Sequence, residues 1–181
     1  IGSIGPTTGT AAIYGNAVKN GASIAVDEIN KAGGINGYKI EFSFEDDQAD
    51  PELAANAYNA LKDKGTQILL GTVTSGSCEA VVGLTAEYNM FQLTPSASAR
   101  SVIAGDNVFQ VCFTDPNQGS ASAQYIGENK LATKVGIIYD SSDVYSTGVF
   151  EKFVEAAKSQ DFEIVSTQSF TKDTKTEGCR R

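Results

Sequence analysis

The stretch Ile68-Leu69-Leu70-Gly71-Thr72-Val73-Thr74-Ser75-Gly76-Ser77 passes from an unbroken apolar run into small, hydroxyl-bearing residues. Three apolar residues without polar alternation predict a strand covered on both faces, as in a parallel sheet. Thr72 to Ser77 then reads as a loop and Cys78 to Tyr88 as a helix. The segment is therefore strand, loop, helix in that order, the repeating unit of an α/β fold.

The same rhythm extends in both directions. Upstream, Ile1 to Ile4 predicts a short strand that runs into Gly5-Pro6-Thr7-Thr8-Gly9. Tyr14, Val18, Ala22, Ala25, Ile29 and Ala32 are spaced by three and four and mark one face of a helix that Gly33-Gly34 ends. Tyr38, Ile40, Phe42 and Phe44 alternate with Lys39, Glu41, Ser43 and Glu45, which predicts a strand with one wet face. Asp50-Pro51-Glu52 opens a helix, with Asp50 as N-cap, and Gly65 stops it. Downstream, strands are expected at Met90 to Leu93, Val108 to Val111, Val135 to Tyr139 and Phe162 to Thr167. Helices are expected at Gln118 to Asn129 and Tyr145 to Ser159. The fold class is α/β, a mainly parallel sheet with helices on both faces. The seam is expected between Thr114 and Gln118, giving a first lobe over 1–116, a partial second lobe over 117–171 and an irregular polar tail over 172–181.

Composition narrows the function. The chain has 181 residues and a net charge of −8, and its only basic pair is Arg180-Arg181. Phosphate recognition needs clustered Lys and Arg, so nucleic acid and anionic membrane surfaces are poor partners. No apolar run approaches the ~20 residues that span a bilayer. Cys78, Cys112 and Cys179 are too widely spaced for a zinc pair and read as buried thiols. Histidine is absent, which removes the usual general base and a Ser-His-Asp triad with it. GxGxxG, GxxxxGK[ST] and GxSxG are absent too, so an α/β enzyme is disfavoured and no cofactor is expected.

What remains is a rim of small loops. In open parallel sheets ligands gather at the carboxyl ends of the strands. Gly5 to Gly9, Gly71 to Ser77 and Thr94 to Ser98 all lie there and are rich in hydroxyls. Backbone N–H groups just ahead of helices, together with hydroxyls, suit a carboxylate. The acidic run Glu45-Asp46-Asp47-Gln48-Ala49-Asp50 reads as a strand end followed by an N-capped helix rather than a metal site, and no metal is expected. Asp140 to Gly148 follows a strand and opens a helix, with Tyr145 either at a helix start or reaching a cleft.

These loops also occur as an ordered set: Ile4-Gly5-Pro6-Thr7-Thr8-Gly9, Tyr14-Gly15, Ala32 to Gly37, Glu45-Asp46-Asp47 with Asp50-Pro51, Gly71 to Ser77, Thr94-Pro95-Ser96, Phe113 to Pro116 with Gln118-Gly119, and Tyr139-Asp140 with Tyr145 to Gly148. In this order they resemble the branched-chain amino-acid-binding proteins of ABC importers, Leu/Ile/Val-binding type, with the type I periplasmic-binding fold. The resemblance covers about residues 1–171 and implies two α/β lobes with the ligand between them, of which this chain holds the first lobe and the start of the second. It implies a truncated, extracytoplasmic solute-binding protein, periplasmic or lipid-anchored at the cell surface. Its partners would be a small aliphatic amino acid and a membrane permease.

The resemblance assigns ligand-binding roles residue by residue. Ser75, Gly76 and the backbone around them hold the amino acid's carboxylate. Ser96, Ala97 and Ser98 supply backbone groups and a hydroxyl for the ammonium. Tyr14 and Tyr145 contribute aromatics. The family's two cysteines in this region are replaced by Ala49 and Thr74, so its disulfide is absent. A regulatory or sensory module of the same fold is the alternative. Apolar surface left bare by a partial second lobe would favour a homodimer or a domain-swapped assembly.

Overall fold

The computed structural model describes residues 1–172. The chain divides into two compact units, the first spanning Ile1–Cys112 and the second beginning at Phe113. The tail over 173–181, with Cys179 and Arg180-Arg181, lies outside the described residues.

The first unit runs β1 (Gly2–Gly5), α1 (Ala12–Lys31), β2 (Ser43–Asp46), α2 (Pro51–Asp63), β3 (Ile68–Gly71), α3 (Ser75–Glu87), β4 (Phe91–Thr94), a short 3-10 turn at Arg100–Ile103, and β5 (Val108–Gln110). All five strands are parallel, in the order β2-β1-β3-β4-β5. In this order β1, β3 and β4 are neighbours, so the loops that leave their carboxyl ends share one rim. Gly2 is level with Leu69, and Ser3 with Phe44 and Leu70, so the two faces are set by register. On the Ile4 and Leu69 face, Ala54, Ala57, Tyr58 and Leu61 of α2 close a core with Val81 of α3 and Met90. Each large apolar side chain buried there contributes about 1.5–3 kcal/mol. Asp50 caps α2 as its sequence predicts: Oδ1 accepts the N–H groups of Glu52 (2.9 Å) and Leu53 (3.0 Å).

On the other face α1 lies against β1, with the Lys19 ammonium 5.6 Å from the centre of the Phe44 ring. Gly15 is its one buried residue and is the hinge of this docking. A Cβ there would come within 1.8 Å of the Pro6 carbonyl oxygen. The apolar stripe read from the sequence is consequently only partly covered: Val18 and Ala22 are half-buried, while Tyr14, Ala25 and Ile29 are exposed. Among the described residues no helix covers the sheet beyond β1 on this face, where Phe91 and Phe109, each about half exposed, stack with ring centres 5.3 Å apart.

Three elements start three or more residues away from the sequence reading. The strand expected from Tyr38 begins at Ser43, level with Gly2 of β1, and Tyr38 meets Ile35 in an isolated bridge. The helix expected from Cys78 begins at Ser75, and the one expected from Gln118 begins at Asp115. In the two helices hydroxyl and acidic residues that suit loops are recruited into the first turn, where orphan N–H groups favour them.

The second unit runs α4 (Asp115–Glu128), β6 (Lys134–Asp140), α5 (Val144–Ala157) and β7 (Glu163–Phe170). β6 and β7 form a two-stranded parallel sheet, with a register shift between Val135 and Gly136. Tyr139 stacks on Phe150 of α5 with ring centres 4.0 Å apart, and Phe153 meets Phe162 at 6.0 Å. α4 packs on α5, with Gly119 against the backbone of Val149. Among the described residues no helix is long and apolar enough to cross a membrane.

Candidate ligand-binding rim

Gly71 ends β3 with a φ of +138°, and a Cβ there would lie 2.6 Å from the Ile4 carbonyl oxygen. Only glycine lets the chain leave the sheet this close to β1. The chain then enters α3 at Ser75. The first α3 backbone bond runs from Cys78 N–H to Thr74 O (3.0 Å), so the N–H groups of Ser75, Gly76 and Ser77 precede the helical ladder. Aligned peptide dipoles make such a terminus attractive to negative charge.

Ser75 is almost fully buried, and its Oγ accepts two backbone N–H groups, from Ser98 (3.1 Å) and Ala99 (3.2 Å). A hydroxyl oxygen has two lone pairs, so both are engaged and only its own hydrogen remains to be given. The β3 and β4 loops are thereby joined at Ser75. Further bonds between them fix the geometry. Thr94 Oγ1 donates to Thr72 O (2.8 Å) and accepts from Ala97 N–H (2.9 Å). Ser96 Oγ donates to Val73 O (2.7 Å), and Gln110 Nε2 donates to Ala97 O (2.6 Å). Beneath them Gln92, fully buried, donates to Gly71 O (2.8 Å) and accepts from Thr85 Oγ1 (2.7 Å).

The β1 loop joins the same rim. A Cβ on Gly5 would meet the Val73 side chain at 2.5 Å, so the two loops are in close contact. Asp46, at the end of β2, ties down the far side of this loop: Oδ1 accepts Thr7 N–H (2.8 Å) and Oδ2 accepts the Thr8 hydroxyl (2.6 Å). Partial burial works to raise its carboxyl, but the bonds from Thr8, Thr7 and Gln48 prevail and hold it at about 2. The next residue behaves oppositely. Asp47 is buried, which pushes its carboxyl up, against a backbone bond from Ala49 and the nearby Ser77 hydroxyl that pull it down. Ser77 stands close to Asp47 without forming a well-aligned hydrogen bond to it. Burial likewise pushes the Cys78 thiol up to about 11, leaving it protonated and inert.

Of the residues singled out in the sequence, the structure brings Ser75, Gly76, Ser96, Ala97 and Ser98 together on this rim. Ala97 and Ser98 are buried and present backbone, Ser96 is exposed, and a Cβ on Gly76 would meet open space. Tyr14 stands in the first turn of α1 with 64% of its surface exposed. Tyr145 belongs to the second unit, where its hydroxyl and the Gln118 side chain exchange hydrogen bonds of 3.0 and 3.2 Å. Sequence reasoning missed Thr94, Gln92 and Asp46 as the parts that hold the loops in place. Gln92 did carry a signal, a lone amide in the apolar run Met90 to Leu93.

Comparison with known proteins agrees with this architecture. Residues 1–176 match the periplasmic binding protein family. Leu/Ile/Val-binding protein homolog 3 of Brucella melitensis is 36% identical over 158 residues, 86% of this chain and 43% of that protein. Leu/Ile/Val-binding protein BraC3 of Rhizobium johnstonii is 37% identical over 155 residues, 84% of this chain and 42% of that one. The branched-chain amino acid transporter substrate binding protein LivJ from Streptococcus pneumoniae, solved in complex with isoleucine, superposes with a TM-score of 0.88 at 31% identity. That match covers 96% of this chain and 49% of the other. The chain therefore spans about half the length of the relatives it matches, and with its parallel sheet and family match it belongs to the periplasmic binding proteins and is similar to those of the Leu/Ile/Val-binding type.

Proposed function

We propose that this chain is the N-terminal part of an extracytoplasmic solute-binding protein of an ABC importer, and that its rim receives the carboxylate of a small aliphatic amino acid. The observation that carries the reading is the Ser75 hydroxyl, whose lone pairs are both taken by Ser98 and Ala99 N–H. Its hydrogen points the chemistry one way, toward an acceptor. The N–H groups ahead of the α3 ladder add neutral donors, so an anionic group is met without a basic side chain. Ser96, Ala97 and Ser98 would serve the ammonium end with backbone and hydroxyl acceptors. Tyr14 and, from the second unit, Tyr145 would add aromatic contacts. The names of the relatives support leucine, isoleucine and valine as the first ligands to try, and a membrane permease as the protein partner. A second copy of the chain is a further partner.

Calorimetry with a panel of amino acids tests the ligand. Leucine, isoleucine or valine should bind the 181-residue chain weakly, because the rim of one sheet touches a ligand from one side only. Ser75→Ala should weaken that binding roughly tenfold, the loss of one hydrogen bond to a charged group. Binding that Ser75→Ala leaves unchanged, or no binding of any amino acid at millimolar concentration, would refute the assignment.

A further inference from the structure

Two asparagines in the chain precede glycine, Asn20 and Asn36. All four residues of these pairs are exposed, so access to water does not tell the pairs apart. Their backbones do. Asn20-Gly21 lies in the middle of α1, where each N–H is held in the helical ladder. Asn36-Gly37 is the tip of a tight turn. Ile35 and Tyr38 exchange backbone bonds across it, Ile35 N–H to Tyr38 O (2.9 Å) and Tyr38 N–H to Ile35 O (3.0 Å). The central φ values are +52° at Asn36 and +83° at Gly37. Positive φ at both positions marks a type I′ turn, for which Asn-Gly is the preferred pair.

The residues that suit this turn also form a reactive couple. Ring closure between the Gly37 nitrogen and Asn36 Cγ needs that N–H to be free and the Asn36 backbone to rotate. Among the described residues Gly37 N–H makes no hydrogen bond and the Asn36 side chain has no partner, so neither must first be released. Glycine places no side chain beside the attacking nitrogen. Rotation at Asn36 opens only the two Ile35–Tyr38 bonds. The chain on either side stays anchored: Gly34 N–H donates to Ile29 O (2.9 Å), and the Asn30 side chain accepts Ile40 N–H (2.7 Å) and donates to Ile40 O (2.9 Å). The same rotation at Asn20 would break α1 in its interior, where helix formation is cooperative and a new nucleus is costly.

We propose that Asn36 is a self-modifying site, converting through Gly37 to aspartate and isoaspartate in the folded chain, and that α1 keeps Asn20 as the amide. The Gly37 nitrogen bonds to Asn36 Cγ, the Cγ–Nδ2 bond breaks, and the Gly37 hydrogen leaves with Nδ2 as ammonia. Water then opens the succinimide. Attack at Cγ gives aspartate; attack at the backbone carbonyl gives isoaspartate, whose main chain runs through Cβ. Either product adds one negative charge to the chain. Isoaspartate also lengthens the turn, so the Ile35–Tyr38 bridge is lost while the Gly34 and Asn30 anchors confine the change. The turn precedes β2, at the amino end of the sheet and away from the hydroxyl rim, so this chemistry is independent of amino-acid binding at Ser75.

Ageing the whole 181-residue chain at mildly alkaline pH, with both sites followed by mass spectrometry, tests this. Trypsin cuts after Lys19, Lys31 and Lys39 and so puts the two asparagines in separate peptides. Digestion in heavy-oxygen water marks any conversion that happens during the work-up. The acid form should accumulate at Asn36 and at least about ten times more slowly at Asn20, because a helix interior opens far less often than a surface turn. In urea the two sites should convert at similar rates, which ties the difference to the fold. An isoaspartyl methyltransferase with S-adenosylmethionine should label the aged chain. Asn36→Gln, whose longer side chain closes the ring far more slowly, should lose most of that label. Equal rates at the two sites in the folded chain would overturn the proposal. So would an Asn36 amide that outlasts Asn20, a rate difference that persists unchanged in urea, or a label undiminished in N36Q.

Discussion

The two units begin alike. β1-α1-β2 in the first and β6-α5-β7 in the second are each a parallel pair joined by a helix. The first continues to five strands, and α2 and α3 bury Tyr58, Leu61, Leu69 and Val81 almost completely. The second has two described strands, and its fully buried residues are small or polar: Asp115, Gly119, Ala123 and Ala157. Its large apolar side chains, Val149, Phe150 and Phe153, stay half-exposed. The lesson is geometric. A helix can hide its apolar stripe only against a sheet wide enough to lie under it, so strand number, more than side-chain choice, decides how much each unit buries.

The sharpest way to break this contrast is to remove one large side chain from each unit. Leu61→Ala should cost the first unit about 3 kcal/mol, as a buried leucine does when it leaves a cavity. Phe153→Ala should cost the second only about 1–2 kcal/mol, since part of the ring is already in water. Amide hydrogen exchange, followed separately in the two units, reads both values where a single melting curve would blend them. Equal losses would mean that the second unit buries Phe153 more fully in solution than this contrast allows.

Within the first unit, the buried hydroxyl of Thr94 is the next test. Thr94→Val keeps the shape but leaves Thr72 O and Ala97 N–H without their partner, which should cost about 2 kcal/mol. Exchange at Ala97 and Ser98 should speed up more than exchange in α2. Uniform loosening would show that Thr94 is ordinary core rather than the peg of the loop.

The smallest effect concerns two adjacent carboxylates. Asp46 is held at about 2 in the folded chain against an ordinary 3.8, so its contribution is present above about pH 4 and fades as pH falls toward 2. Asp46→Asn should therefore destabilise the first unit at neutral pH by at most about 1 kcal/mol, given its partial exposure, and the gap should close in acid. Asp47 is shifted upward, so its ionisation opposes folding, and Asp47→Asn should leave neutral-pH stability unchanged or raised. Thermal melts of both variants between pH 2 and 7 decide the signs; matching shifts would contradict the opposite environments of the two groups.

Much of the architecture was legible from local pattern. Apolar runs, glycine stops and the Asp50-Pro51 start marked the alternation of strands and helices. The hydroxyl loops could be placed on one rim because strand ends of a parallel sheet point the same way. The bonds that lock the rim were not legible. Thr94 reaches Thr72 across 22 residues and Asp46 reaches Thr7 across 39, and both depend on strand register. Tyr38 misled for a related reason: its alternation is genuine, but its partner is set by the fold, and it meets only Ile35 in an isolated bridge.

Ser75 has one more implication. An oxygen that has surrendered both lone pairs to Ser98 and Ala99 has nothing to offer a cation, whether a metal ion or an ammonium group. In the proposed site the residue would sort the two ends of a zwitterion without bearing any charge of its own, and would set which way round such a molecule can lie. Because that sorting would come from backbone amides rather than a salt bridge, it would be indifferent to whatever side chain the molecule carries.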